Sequence, residues 1–213
     1  MNPYQLYLVT DEQLGLKALT HIVREAVKSG VTMVQIREKH HDVRAFIERA
    51  SAVKDVLKGS GVPLIINDRV DVALAIDADG VHLGQSDMPA RLARQLIGPN
   101  KLLGLSIESH QQLASVHDLP IDYIGLSAIF ATPTKTDTRH HWGIDGLTSA
   151  LQTTSLPIVA IGGININNLK DIVATGVHGV ALVSAICQAD DPRAATEQIK
   201  TLLQYNHSQR VPA

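Results

Sequence analysis

The chain has 213 residues, 45% of them hydrophobic and 19% charged, with a formal net charge of −2 at pH 7. This composition is that of an ordinary globular protein, and the near-neutral charge gives no reason to expect nucleic acid or an anionic membrane as a partner. A single cysteine, Cys187, excludes an intrachain disulfide, and without a leader or an apolar run of the ~20 residues that span a bilayer we expect a soluble cytoplasmic protein.

Short apolar runs alternate with longer amphipathic runs along the chain, and no low-complexity linker interrupts them. The predicted strands are residues 6–9, 33–36, 64–66, 81–83, 102–105, 123–126, 158–161 and 180–183. The predicted helices are residues 16–28, 43–58, 70–76, 90–97, 111–116, 146–153, 168–175 and 193–203. Eight such β/α units are typical of an α/β fold, a single (β/α)8 TIM barrel. We expect one domain over residues 1–213, with a disordered tail from about residue 206, and a homo-oligomer is compatible with the sequence.

A doubly wound open sheet is the alternative to the barrel. Such a sheet usually carries a glycine-rich dinucleotide-binding turn after its first strand. The first predicted strand is followed by Thr10, Asp11 and Glu12, which do not form that motif. The barrel is therefore the favoured fold.

Active sites in this fold lie at the carboxyl ends of the strands. At the second predicted strand, Gln35, Arg37 and Lys39 alternate with Ile36 and Glu38. The side chains of residues 35, 37 and 39 therefore share one face of the strand. An amide and two cations on one face suit a phosphate or a diphosphate. A solvated basic strand end is the alternative that this pattern alone leaves open.

Two aspartates follow neighbouring predicted strands. Asp68 comes after the third strand and Asp87 after the fourth, so their carboxylates would lie at the same edge of the barrel. Two carboxylates brought together repel unless a cation lies between them or one takes up a proton, and hard oxygen ligands favour Mg²⁺. Capping of the helix that follows each strand is the alternative role.

Phosphate-binding residue types follow the last three strands. The longest connection, residues 127–143, carries Thr132, Thr134 and Lys135, whose hydroxyl and ammonium groups suit phosphate oxygens. Gly163 and Ser184 follow the seventh and eighth strands, where a barrel commonly holds a phosphate. The alternative for the glycines at 162 and 163 is a tight strand-to-helix turn and nothing more.

Together these patterns predict two anion sites at one rim. A diphosphate bridged to Mg²⁺ would lie among Gln35, Arg37, Lys39, Lys135 and the two aspartates. A monophosphate without metal would lie around Gly163 and Ser184. Two phosphorylated small molecules that meet over one metal ion imply that diphosphate is a leaving group.

Several motifs, in order and well spaced from Tyr7 to about Pro192, resemble those of the thiamine-phosphate synthase family. They are Tyr7-Leu8-Val9-Thr10-Asp11, Gln35-Ile36-Arg37-Glu38-Lys39, Asn67-Asp68-Arg69-Val70-Asp71, Gly80-Val81-His82-Leu83-Gly84-Gln85-Ser86-Asp87, Thr132-Pro133-Thr134-Lys135, Ile161-Gly162-Gly163-Ile164 and Val183-Ser184-Ala185-Ile186. The resemblance implies a (β/α)8 transferase that joins a hydroxymethylpyrimidine diphosphate to a (carboxy)thiazole phosphate. Its products would be thiamine phosphate and diphosphate.

The resemblance also implies roles for individual residues. Asp68 and Asp87 would bind one Mg²⁺ ion. The pyrimidine diphosphate would contact Gln35, Ile36, Arg37, Glu38, Lys39, Asn67, Ser106 and Lys135. The thiazole phosphate would contact Thr132, Pro133, Thr134, Gly163, Val183 and Ser184. Catalysis would be dissociative: Arg37, Lys39 and Lys135 neutralise the departing diphosphate, and Ser106 hydrogen-bonds the substrate.

Two other hypotheses remain open at this point. A related thiazole tautomerase branch lacks the acidic pair and relies on a histidine two residues after the serine that matches Ser106, where this chain has Glu108. A barrel that binds phosphate without catalysis would use the aspartates only as helix caps. One departure from the family pattern is that Ser127 and Ala128 stand where many members have Gly-Pro.

Overall fold

Eight parallel strands close into a barrel in chain order in the computed structural model, which describes residues 2–40, 42–132 and 141–208. The strands are β1 Leu6–Val9, β2 Met33–Ile36, β3 Leu64–Asn67, β4 Gly80–Leu83, β5 Leu102–Ile107, β6 Tyr123–Leu126, β7 Ile158–Ile161 and β8 Gly179–Leu182. Closure joins the first strand to the last, with Leu6 opposite Val180. The predicted TIM barrel is confirmed.

Helices cover the outside of the barrel. They are α1 Leu16–Ser29, α2 Val43–Leu57, α3 Val70–Ala75, α4 Ala90–Ile97, α5 His110–Ala114, α6 Gly143–Thr153, α7 Leu169–Ala174, α8 Ser184–Cys187 and α9 Pro192–Ser208. The sequence did not predict α8, because four residues are too few to show helical periodicity. Within the described part of the chain, no helix is long and apolar enough to cross a membrane.

Two predicted strands are longer than expected at the end that faces the site. Asn67 lies within β3, opposite His82, and Ser106 lies within β5, opposite Gly125. Polar side chains here interrupt the apolar pattern from which the strands were predicted, but their backbones continue the hydrogen-bonded ladder. Both residues are therefore held by strands rather than by loops.

The core has two layers, as the alternation of side chains along each strand requires. Leu6 and Leu8 of β1 point outward and pack with the helices, whereas Tyr7 and Val9 point into the barrel. The interior cluster is made of Tyr7, Val9, Met33, Ile65, Tyr123, Val159 and Ala181. This cluster fills the barrel, and the site lies above it.

Candidate functional site

A cavity of about 340 Å³ opens at the carboxyl ends of the strands. This volume suits small-molecule ligands. The cavity brings together predicted site residues from strands far apart in sequence: Gln35, Arg37, Lys39, Asn67, Ser106, Thr132, Gly163, Val183 and Ser184. Pro133, Thr134 and Lys135 lie outside the described residues, so their predicted roles stay predictions.

The end of β2 has the predicted alternation. Gln35, Arg37 and Lys39 line the cavity, whereas Ile36 packs in the outer core layer. The buried Glu38 carboxylate accepts a hydrogen bond of 2.9 Å from Nε of Arg49 on α2. The side chains of Ile36 and Glu38 therefore point away from the cavity, so any contact of these two residues with a ligand would have to come from their backbone.

The two aspartates do not line the cavity themselves but contact residues that do, Asp68 through Lys39 and Asp87 through Gly84, so they lie at its rim. The Lys39 ammonium group donates to the Asp68 carboxylate. Burial raises the pKa of Asp68, and its hydrogen-bonding contact with the Asp87 carboxyl group raises it further, against the opposing effect of Lys39. The Asp68 carboxylate thus lies against a second carboxyl group with less positive charge nearby than would fully favour its ionised form.

Helix capping is not the role of either carboxylate. The residue that caps α3 is Arg69 and the residue that caps α4 is Pro89, neither through a side-chain hydrogen bond. Asp68 has a left-handed backbone with φ of 61°, and its N–H donates to the carbonyl of His82 at 2.8 Å. Asp87 accepts from the N–H of Gly84 at 2.6 Å.

The two carboxylates at the rim suit a hard cation that is bound partly by the protein and partly by a substrate. Among the described residues, no group of three or more His, Cys, Asp or Glu side chains is placed to hold a metal ion. Mg²⁺ usually takes one or two protein carboxylates and fills its remaining positions with water and substrate phosphates. Asp68 and Asp87 match that requirement.

A glycine turn after β7 forms another wall of the cavity. Gly163 has φ of 68°, and a Cβ atom there would lie 2.6 Å from the carbonyl oxygen of Ala131. Asn168 fixes the turn by donating to the Gly163 carbonyl at 2.8 Å. Val183 and Ser184, at the start of α8, line the same cavity. The glycines do form a tight turn, and that turn also shapes the site.

Some cavity-lining residues were not predicted. Tyr7, His82, Tyr123 and Ser127 all line the cavity. His82 carried a signal in the sequence, because a polar residue between Val81 and Leu83 of a buried strand must point to the opposite face from both. In the sequence, Tyr7 and Tyr123 cannot be distinguished from ordinary core aromatics. Their place in the cavity is visible only in the closed barrel.

Comparisons with known proteins agree with the predicted family. A family model described as thiamine monophosphate synthase matches residues 6–186. The chain is 72% identical to the thiamine-phosphate synthase of Vibrio campbellii over 95% of this chain and 100% of that protein. It is 49% identical to the thiamine-phosphate synthase of Albidiferax ferrireducens, covering 93% of this chain and 91% of that protein.

Solved structures give the same result. Thiamine phosphate pyrophosphorylase from Pyrococcus furiosus aligns with a TM-score of 0.88 and 36% sequence identity, over 96% of this chain and 98% of that one. A 3-hexulose-6-phosphate synthase aligns with a TM-score of 0.69 at 18% identity, over 93% of this chain and 99% of that one. The second likeness concerns the fold alone.

Proposed function

The chain belongs to the thiamine monophosphate synthase family and is a transferase, and we propose that it condenses 4-amino-2-methyl-5-(diphosphooxymethyl)pyrimidine with a thiazole phosphate or carboxythiazole phosphate. The products are thiamine phosphate and diphosphate, and a carboxythiazole phosphate would in addition lose its carboxyl group as CO2. The observation that carries the proposal is the rim at which Lys39 meets the paired carboxylates of Asp68 and Asp87. This rim borders a cavity that also contains the Gly163 and Ser184 turn.

The rim would bind the diphosphate end of the pyrimidine substrate. Arg37 and Lys39 line the cavity and can neutralise oxygens of the leaving group. Asp68 and Asp87 would hold Mg²⁺, which when bound adds positive charge next to the departing diphosphate. Lys135, outside the described residues, is proposed to supply a further cation.

Carbon–oxygen bond cleavage comes first in the proposed reaction. The electron pair of that bond leaves with the diphosphate, and the pyrimidine methylene carbon becomes positively charged. The thiazole nitrogen then donates its lone pair to that carbon and forms the new carbon–nitrogen bond. The protein needs no nucleophile for these steps. Its contribution is to stabilise the leaving group and to orient two rings.

Polar side chains on the cavity walls would orient the pyrimidine ring. Asn67 and Gln35 present amide groups and Ser106 presents a hydroxyl group, and all three are held on strands. Strands hold side chains more rigidly than loops do, which favours a defined ring position. Ser106 lies 3.0 Å from Nε2 of His82, and its proposed role is to hydrogen-bond the substrate.

The thiazole phosphate would bind at the other wall. Thr132, Gly163, Val183 and Ser184 line this part of the cavity. Because Gly163 has no side chain, a phosphate can approach its backbone closely. No acidic residue lines the cavity in the described part of the chain, which suits a bound anion, and Asp68 and Asp87 are not among the residues that line this wall.

A coupled assay tests the proposed function. Purified protein is incubated with both phosphorylated substrates and Mg²⁺, and thiamine phosphate and diphosphate are measured together. We expect equal amounts of the two products, loss of both after chelation, and recovery on addition of Mg²⁺. Diphosphate without thiamine phosphate, or neither product at micromolar enzyme, would contradict the proposal.

A further inference from the structure

A chain of hydrogen-bonded side chains crosses the interior of the barrel along the wall of the cavity. Nε2 of Gln35 donates to the hydroxyl of Tyr7 at 2.7 Å, and that hydroxyl lies 3.0 Å from the hydroxyl of Tyr123. The Tyr123 hydroxyl lies 3.1 Å from Nδ1 of His82, and Nε2 of His82 lies 3.0 Å from Oγ of Ser106. The chain thus joins two candidate substrate contacts, Gln35 and Ser106, through three side chains that the reaction itself does not use.

The first hydrogen bond sets the direction of all the others. A phenol has one proton, and Tyr7 already accepts from Gln35, so its proton goes to Tyr123. Tyr123 accepts that proton and donates its own to Nδ1 of His82. Nδ1 is then an acceptor, and the ring proton of His82 lies on Nε2 and is donated to Ser106. Burial raises the pKa of both Tyr7 and Tyr123, so both phenols keep their protons.

Glycine at position 104 makes the central part of this chain sterically feasible. A Cβ atom on Gly104 of β5 would lie 2.3 Å from Cζ of Tyr123 and 2.4 Å from Nδ1 of His82. Both side chains are buried and their rings lie 5.4 Å apart. The absence of a side chain at position 104 of β5 therefore leaves room for the contact between these two rings.

We propose that Tyr7, Tyr123 and His82 are positioning residues that fix which group accepts and which donates in the pyrimidine subsite. Because one Nε2 proton of Gln35 is donated to Tyr7, the orientation of the amide is set and its Oε1 can accept a hydrogen bond from a ligand. Because Ser106 accepts from His82, its own proton is left to donate. A ligand edge with an amino donor and a ring-nitrogen acceptor, as in an aminopyrimidine, matches this pair. The assignment of the ligand rests on the proposed function, whereas the direction of the hydrogen bonds does not.

The direction can be measured without substrate. Protein labelled with [¹⁵N]histidine gives ring-nitrogen shifts that distinguish the two neutral tautomers, and His82→Gln identifies the signal of His82 among the ten histidines. We expect His82 to carry its proton on Nε2. A His82 that carries its proton on Nδ1 would overturn the proposal, whether or not the protein turns over its substrates.

Reversal of the chain provides the sharper test. Gln35→Glu replaces the donor with an acceptor, so Tyr7 must donate to residue 35, Tyr123 must donate to Tyr7, and His82 must donate from Nδ1. The His82 tautomer is then expected to switch, although Tyr7 and Tyr123 lie between residue 35 and His82 in the hydrogen-bonded chain. Gln152→Glu on the exposed face of α6 is the matched control and is expected to leave the tautomer unchanged. An unchanged tautomer in Gln35→Glu would overturn the proposal.

A kinetic test connects the chain to the substrate. Tyr123→Phe removes the donor to His82, and we expect the KM of the pyrimidine substrate to rise about fivefold, as for the loss of one hydrogen bond. The KM of the thiazole phosphate is expected to stay unchanged. Equal increases in both KM values would mean that Tyr123 has a general structural role and would overturn its assignment as a positioning residue. Tyr7→Phe provides a second variant with the same expected pattern.

Discussion

Asp68 combines features that are unfavourable for folding and useful for function. Its backbone is left-handed, with φ of 61°, and burial together with the nearby Asp87 carboxyl raises its pKa. A raised pKa in the folded state means that the ionised form is destabilised there relative to the unfolded chain. Such residues concentrate at functional sites, where the arrangement that costs stability creates the binding site for a cation.

Asp68→Asn is therefore expected to raise the unfolding temperature in metal-free buffer at pH 7 while abolishing turnover. Asparagine tolerates the left-handed backbone and removes the unfavourable charge. The gain should disappear as the pH falls, because the wild-type carboxyl group is protonated in acid. Thermal unfolding of both proteins between pH 7 and acidic pH measures this difference.

Asp77→Asn is the matched control for Asp68→Asn. Asp77 also has positive φ, 51°, but its hydrogen bond from Lys101 lowers the pKa of its carboxyl group. That interaction stabilises the folded state above the pKa of the unfolded chain and is lost as the pH falls through the lower folded-state value. Asp77→Asn should therefore lower the unfolding temperature slightly at pH 7. A rise for both variants would contradict the assigned cause.

The end of β2 is held in place by contacts from α2 and from the segment that follows β1. Glu38 is paired with Arg49 of α2, and both side chains are almost completely buried. Glu12, after β1, accepts hydrogen bonds from the backbone N–H groups of Lys39 and His40 at 2.8 and 3.1 Å. These contacts hold the segment that presents Arg37 and Lys39 to the cavity.

Arg49→Met should lower the free energy of unfolding by about 3 kcal/mol, because it removes the guanidinium group that faces a buried carboxylate. The KM of the pyrimidine diphosphate should rise more than that of the thiazole phosphate. Urea denaturation and steady-state kinetics measure the two effects. Arg193→Met, which breaks the exposed pair with Glu197, is the control and should cost far less stability, because solvent screens an exposed ion pair. Similar losses in the two variants would contradict this account of β2.

Local sequence patterns predict the eight β/α units and the face shared by Gln35, Arg37 and Lys39. They do so because strand and helix periods and side-chain alternation are local properties. The hydrogen-bonded chain from Gln35 to Ser106 was not predictable in this way. Its members lie on five different strands and meet only when the barrel closes. The structure also shows that Asp68 and Asp87 do not cap helices, because Arg69 and Pro89 hold the N-cap positions of α3 and α4.

We propose that one cavity holds a metal-bound diphosphate and, separately, a thiazole phosphate. Calorimetric titration of Asp87→Ala with each substrate is the most direct test of this proposal. We expect Mg²⁺-dependent affinity for the pyrimidine diphosphate to fall at least about tenfold, as for the loss of a charged ligand group. Affinity for the thiazole phosphate should stay nearly unchanged. Equal loss of both affinities would contradict the proposal, because it would mean that Asp87 supports the fold of the rim through Gly84 rather than binding the cation.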